Sequence, residues 1–449
     1  GMQVPESYGG LGLSHYDTRM IMEQLGAIDI SLSLFIGLNN ILGIRPILNF
    51  ASQEIKEKFL PILAKGRELA AFALTEPGAG SNPNSISAKS QQISENRWKL
   101  NGTKIWSGGA TWAGFINTFA KEYDHNGNPR GITAYLLRQG TKGLIQGGEA
   151  LTTGMRGSIQ NTIYFKDLII DQTNILGEPG KGMHVANATL LYGRLTIASA
   201  CIGAMKRCLQ LIERYASRRS IASGILLDNP VTMMKISEIT FYIDCSEVLV
   251  NKIVGLLDQE NDVNEDLYTI AKILVPEWLW QTSDNLIQIL GGRGYIETNI
   301  APQIMRDARV LRVFEGPTET LKVFLGSKML NNEANLYKLF VNQLNDSDGY
   351  NRIKSSLEQI NKNNFNLFAN DSANSLFLKY LISDLICFAV IESLLQTEAN
   401  NDANTFGWIK LKYQETFNKI NQNSNFNGIF ITSKDSISSI INSYQNNIG

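Results

Sequence analysis

The hydrophobic pattern of this 449-residue chain changes period twice, and that change limits the folds open to it. From His15 to about Ile28, apolar Met20, Ile21 and Leu25 alternate with polar positions at helical spacing. Residues 31–49 are strongly apolar and predict a buried helix, and Gln53 to Lys65 a short amphipathic one. From about Leu69 the pattern breaks, and the run AAFALTEPGAG is stopped by Pro77, Gly78 and Gly80. Short extended segments at 86–93, 97–106, 114–121, 131–138, 144–149 and 159–169 then predict a compact β domain. Within it, Asp124–Asn128 has the composition of a surface turn. Past Gly177–Gly182 helical spacing returns at 183–218, 229–257, 264–290 and 301–311, with Leu209, Ile212 and Tyr215 on one apolar stripe. Asp228-Asn229-Pro230 predicts a cap and first turn. The Asn- and Ser-rich remainder carries helix-like runs at 333–345, 352–368, 374–399 and 403–420, with loops expected at Asn361–Asn364 and Asn421–Asn425.

Composition narrows the function. A formal net charge of -1 gives no field that favours DNA or RNA. The four cysteines, at 201, 208, 245 and 387, lack metal or redox spacing and read as small hydrophobes in a reducing, cytoplasmic compartment. Nothing supports a metal site among His15, His125 and His184, which are far apart in sequence. No apolar run approaches a membrane span, and no secretory leader is visible.

One stretch concentrates the chemistry, QILGGRGYIETNIAPQIMRDARVLRVFEGPTETLKVF from Gln288 to Phe324. Gly291-Gly292 ends one apolar helix, and Phe314-Glu315-Gly316-Pro317 separates a basic, apolar run from the next. Most glutamates are simply solvated. Glu315 differs, because Val313 and Phe314 precede it and a Gly-Pro turn follows, a setting that can hold a carboxylate against a ligand.

With LTEPGAGSN at 74–82, TGMRGSIQNTIYFKDLIID at 153–171 and NILGEPGKGM at 174–183, this stretch makes residues 3–330 resemble the acyl-CoA dehydrogenase family of flavoproteins. The resemblance implies a multidomain α+β fold. Its parts are a partial helical N-terminal domain (1–68), a middle β domain for flavin and thioester (69–182), a four-helix bundle carrying the base (183–330) and a C-terminal helical extension (331–449). It also implies about two helices ahead of the GMQVPESYGGLGLS loop, unless this protein naturally lacks them. The extension is similar to one in longer family members. It serves docking, dimerisation or membrane approach, or only covers an apolar face.

The implied reaction is FAD-dependent α,β-dehydrogenation of an acyl thioester on coenzyme A or an acyl carrier protein. Glu315 takes the α-proton and flavin N5 takes the β-hydride. Leu74, Thr75 and Trp106 match residues beside the isoalloxazine. Gly108 stands where the family places a hydroxyl near N5, and Ser107 replaces it only if the strand register differs. Ser81, Phe314 and Gly316 fall on the substrate side. Arg219, Gln288, Gly291 and Gly292 match groups that serve FAD across a dimer interface, and Arg194 matches an arginine with an indirect role near the base loop. Pro230 and Pro317 replace the family's usual glutamine and threonine, removing two donors near FAD. The implied partners are a second copy of the chain and an electron-transfer flavoprotein. An oxidase, a monooxygenase and a catalytically silent binding or assembly protein remain as alternatives.

Overall fold

The computed structural model describes residues 1–363, 373–397, 402–422, 437–439 and 441–442. It divides into two compact units, Gly1–Leu321 and Lys322–Gly449.

The first unit opens with helices α1 (His15–Ile28), α2 (Ile30–Leu38), α3 (Arg45–Phe50) and α4 (Gln53–Ala64). Ser14, Asp29 and Ser52 cap α1, α2 and α4 by accepting from the backbone N–H three residues on. The single helix expected over 31–49 is instead α2 and α3 joined by a π-helical segment, Asn39–Ile44. Packing decides this: Gly43 lies against the Ala70 backbone, and Asn39 accepts from Ala70 N–H at 2.9 Å.

Eight strands follow, β1 (Leu69–Ala73), β2 (Lys89–Ser94), β3 (Arg97–Gly108), β4 (Ala113–Tyr123), β5 (Pro129–Arg138), β6 (Leu144–Glu149), β7 (Gln160–Asp171) and β8 (Ile175–Leu176). They form one sheet in the order β6-β7-β3-β2-β4-β5-β8, with β1 parallel to β4. Alternating residues fill two cores. Trp98, Leu100, Ile163 and Phe165 lie in one, and Phe115, Phe119 and Leu136 in the other, which is shared with the N-terminal helices through Ile44, Ile47 and Leu60. The 124–128 turn forms as expected, the Asp124 carboxylate accepting from Asn126 and Asn128 N–H.

The bundle is built from α5 (Gly182–Ala216), α6 (Pro230–Asp258), α7 (Glu265–Leu290) and α8 (Ile300–Val310), with the small β9 (Ser220–Ile221) and β10 (Gly224–Ile225) between α5 and α6. Asn229 caps α6 and Pro230 occupies its first turn, as read from sequence. Helix α5 packs on α1, α6 and α7. Close approach is possible because Gly203 and Gly26 face backbone on the opposing helices α1 and α5. Contrary to the sequence reading, Ile30–Phe50 and Gly182–Ala216 are long and apolar enough to cross a membrane by length and composition. Half and 72% of their most apolar windows are buried, which fits the core of this fold.

Helix α9 (Thr318–Asn331) carries the chain into the second unit, so the compact units divide near its start whereas the sequence division at 330/331 falls at its end. There α10 (Glu333–Tyr337) leads into a π-helical turn, Lys338–Gln343, and α11 (Ser347–Asn363), α12 (Ala373–Thr397) and α13 (Ala403–Gln422) follow. Ile353 and Leu357 on α11, Leu385 and Ile386 on α12, and Ile409 on α13 are buried. Arg352 pairs with Glu392 at 3.1 Å, and the Tyr413 hydroxyl donates to Ser356 Oγ at 2.8 Å. Asn361–Asn363, read as loop, finish α11, and Asn421-Gln422 finish α13. The expectations at 364–368, 398–399 and 423–425 lie outside the described residues. All four cysteines are free and buried, and burial pushes their thiols upward. Among the described residues no cluster of His, Cys, Asp or Glu could hold a metal ion.

Candidate active site

The Glu315 loop joins α8 to α9. Arg312 carbonyl accepts from Thr318 N–H at 3.1 Å and closes the turn. Glu315 itself sits at φ +58, a left-handed conformation uncommon for a side-chain-bearing residue, and Gly316 at φ +100. Glycine is required at 316, since such a backbone strains any larger residue.

The Glu315 side chain turns inward onto α5. A Cβ placed on Gly193 would lie 3.2 Å from its carboxyl carbon, so the missing side chain at 193 makes the space the carboxylate uses. Its Oε2 is shut off from solvent and has no hydrogen-bond partner among the described residues. Burial therefore pushes the carboxyl up to about 7, although Arg194 and Lys272 both act to lower it. Arg194, on α5, donates to Thr269 Oγ1 at 2.9 Å and feels Glu315 electrostatically. Lys272, on α7, donates to the Gly316 carbonyl at 3.2 Å. Sequence reasoning missed Lys272. The available signal was a lysine inside the apolar run from Tyr268 to Pro276.

A second group of predicted residues assembles on the β domain. Ile105 N–H donates to Thr75 carbonyl at 2.9 Å, which sets Leu74-Thr75 beside Trp106-Ser107. The β3–β7 register shifts between Lys104 and Ser107, and Trp106 takes φ +53. The bulge turns the Trp106 indole out, leaving it 64% exposed, while Ser107 is buried with its Oγ unpartnered among the described residues. Ser81 is exposed in the turn after Gly80.

Beneath this ledge lies an ion pair that sequence reasoning also missed. Lys104 Nζ donates to Glu76 Oε1 at 2.7 Å and to Leu74 carbonyl at 3.1 Å. Glu76 Oε2 accepts from Ser87 N–H and Oγ at 2.5 and 2.6 Å. Both charges are out of solvent and satisfied, so they fix the path of residues 74–88. The 152–158 loop docks on the helices in a similar way, with Asp307 on α8 accepting from Met155 N–H and from Ser31 Oγ.

Arg219, Gln288, Gly291 and Gly292 are exposed and lie elsewhere. From Gly193, the contact of Glu315, α5 runs about 35 Å to its end beside Arg219. From Lys272, α7 runs roughly 25 Å to Gln288. The structure therefore does not bring these four residues to the Glu315 end of the bundle.

Fold and site together define a three-part scaffold of helices, β sheet and helix bundle, with a desolvated carboxylate on the bundle and an open aromatic ledge on the sheet. Models of the acyl-CoA dehydrogenase N-terminal, middle and C-terminal domains match residues 1–67, 71–168 and 180–330. The human mitochondrial short-chain specific acyl-CoA dehydrogenase is 32% identical over 329 residues, 73% of this chain and 79% of that protein. Butyryl-CoA dehydrogenase from Megasphaera elsdenii superposes with a TM-score of 0.69 at 28% identity, covering 74% of this chain and 86% of that one. An FAD-complexed acyl-CoA dehydrogenase from Bacillus anthracis gives 0.79 at 22% identity over 99% of this chain and 83% of its own, a likeness of fold that includes the C-terminal helices. The chain belongs to the acyl-CoA dehydrogenase family, FAD-dependent oxidoreductases that dehydrogenate acyl-CoA.

Proposed function

We propose that this chain dehydrogenates an acyl thioester between its α and β carbons, with Glu315 as the base. The observation that carries the reading is the Glu315 carboxylate itself, held on a left-handed turn, with one oxygen unsatisfied and its pKa raised to about 7. A general base poised near the working pH combines useful ionisation with useful driving force. Ionised Glu315 takes the α-proton, the electron pair left on the α carbon forms the Cα–Cβ double bond, and the β-hydrogen departs with its pair as hydride. Bound FAD supplies the hydride acceptor, a role no side chain fills reversibly.

The residues present fit a flavin. Trp106 offers an open aromatic face, Leu74 and Thr75 border it, and the Ser107 hydroxyl is an orphaned polar group at the same edge. Phe314 and Gly316 flank the base on the substrate side, and Ser81 is available to the polar end of the thioester. Among the described residues Glu315 N–H has no acceptor, and in this reading it donates to the thioester carbonyl as enolate charge develops.

Arg219, Gln288, Gly291 and Gly292, remote from their own Glu315, serve the FAD of a second copy, so the working unit is a homodimer. An electron-transfer flavoprotein reoxidises the enzyme. The test is anaerobic titration of the yellow holoprotein with saturated acyl-CoA and acyl-carrier thioesters of graded chain length. The reading expects bleaching with formation of an enoyl product. Holoprotein that no thioester reduces overturns it, and rapid peroxide formation in air without an added acceptor makes it an oxidase.

A further inference from the structure

We infer that Lys272 is a positioning residue for Glu315: it holds the Glu315–Gly316 turn through the Gly316 carbonyl and supplies positive charge that keeps the carboxylate ionisable. The first half stands on geometry alone, and the second rests on the proposed role of Glu315 as base.

Lys272 lies in the N-terminal third of α7, fully out of solvent. Burying an ammonium is costly unless it is paired and hydrogen-bonded. The other fully buried lysine in the largest side chains of the core, Lys104, follows that rule, with Glu76 2.7 Å away. Lys272 does not. Among the described residues no carboxylate lies within ion-pair distance of it, and its one hydrogen bond goes to the carbonyl that follows Glu315. An apolar side chain would fill a purely structural position in this helix at less cost. The charge instead sits where the turn is left-handed at two successive residues and where the opposing charge is Glu315.

The surrounding groups leave Lys272 a distinct part. Arg194 acts on Glu315 from α5 as the larger of the two opposing charges, but its hydrogen bond runs from Nη1 to Thr269 on α7 and not to the base loop. Cys201 faces Lys272 from α5 as a buried, neutral thiol. Glu277, one turn or so along α7, is paired with Arg312 at 2.6 Å, and Glu265 acts on Arg194. Lys272 is thus the group on α7 that both touches the base loop and acts on its carboxylate.

The experiment compares wild-type holoenzyme with Lys272→Met, which removes donor and charge, and Lys272→Gln, which keeps a donor only. Four quantities are read: FAD content, amide hydrogen exchange in the peptide spanning 312–318, KM against kcat, and the pH midpoint of flavin reduction. Lys272→Met is expected to retain FAD and KM, to exchange faster in that peptide, and to lose roughly 10- to 100-fold in kcat at neutral pH. Its pH midpoint is expected to move up by about one unit, since a lost positive neighbour favours the protonated carboxyl. Lys272→Gln is expected to restore slow exchange while keeping the raised midpoint. FAD-loaded Lys272→Met with wild-type exchange, kcat and midpoint overturns the inference, as does collapse of both variants, which makes Lys272 a folding determinant. If no thioester reduces even the wild type, the base reading fails separately, and the exchange measurement still decides whether Lys272 pins the turn.

Discussion

Burial sets the Glu315 carboxyl near 7 against two cations that act to lower it, and this gives the residue a testable pH signature. As a base it works ionised, so kcat/KM should rise with pH and level off above about 7. Its effect on stability has the opposite sign. A carboxyl whose folded pKa exceeds its unfolded value of 4.5 lets the native state hold the extra proton between those two values. Its stabilising contribution is present below 4.5 and is lost as pH rises through about 7. Rates of flavin reduction and unfolding midpoints across this window check both signs, and a flat rate profile contradicts the assignment. Gly193 makes a second prediction. Alanine there sets a Cβ 3.2 Å from the carboxyl carbon, tight enough to move it. Gly193→Ala should slow reduction by roughly 10-fold and cost about 1–3 kcal/mol in stability, read by stopped-flow and by denaturant titration.

At the scale of elements, the two changes of hydrophobic period marked every long helix of the first unit and six of the eight sheet strands closely, because one buried face imposes one repeat. The short β8 left no such mark, since two residues carry no period. Trp106 shows a different limit. Alternation along β3 says which residues face inward in a regular strand, but the left-handed residue that turns the indole outward is set by pairing with β7. The π-helical segment at 39–44 is likewise chosen by backbone approach from β1. Glu76 and Lys104 were invisible as a pair because 28 residues separate them and only the sheet joins them. Taking away one partner leaves the other charged and buried, so Glu76→Gln should cost about 3–5 kcal/mol and loosen residues 74–82. Thermal or denaturant unfolding measures the first and hydrogen exchange the second. A loss below about 1 kcal/mol would show that the pair is dispensable.

At the scale of the molecule, the family blocks made the three-part scaffold legible in the sequence, whereas the reach of each proposed cofactor residue was not. Sequence order cannot say that the end of α5, three residues before Arg219, lies about 35 Å along the helix from the residue that touches Glu315. That separation underlies the proposed homodimer, and it predicts that Arg219→Ala weakens FAD retention on dilution while loaded enzyme reduces at the normal rate. Light scattering of a monomer that holds FAD tightly would contradict it. The central claim is that Glu315 is the base. Its most direct test is anaerobic stopped-flow reduction of wild type and Glu315→Gln at matched FAD content with the same saturated acyl-CoA. The account predicts a folded, yellow variant whose flavin is reduced roughly 10²–10⁴ times more slowly. Equal reduction rates at equal FAD content would contradict it.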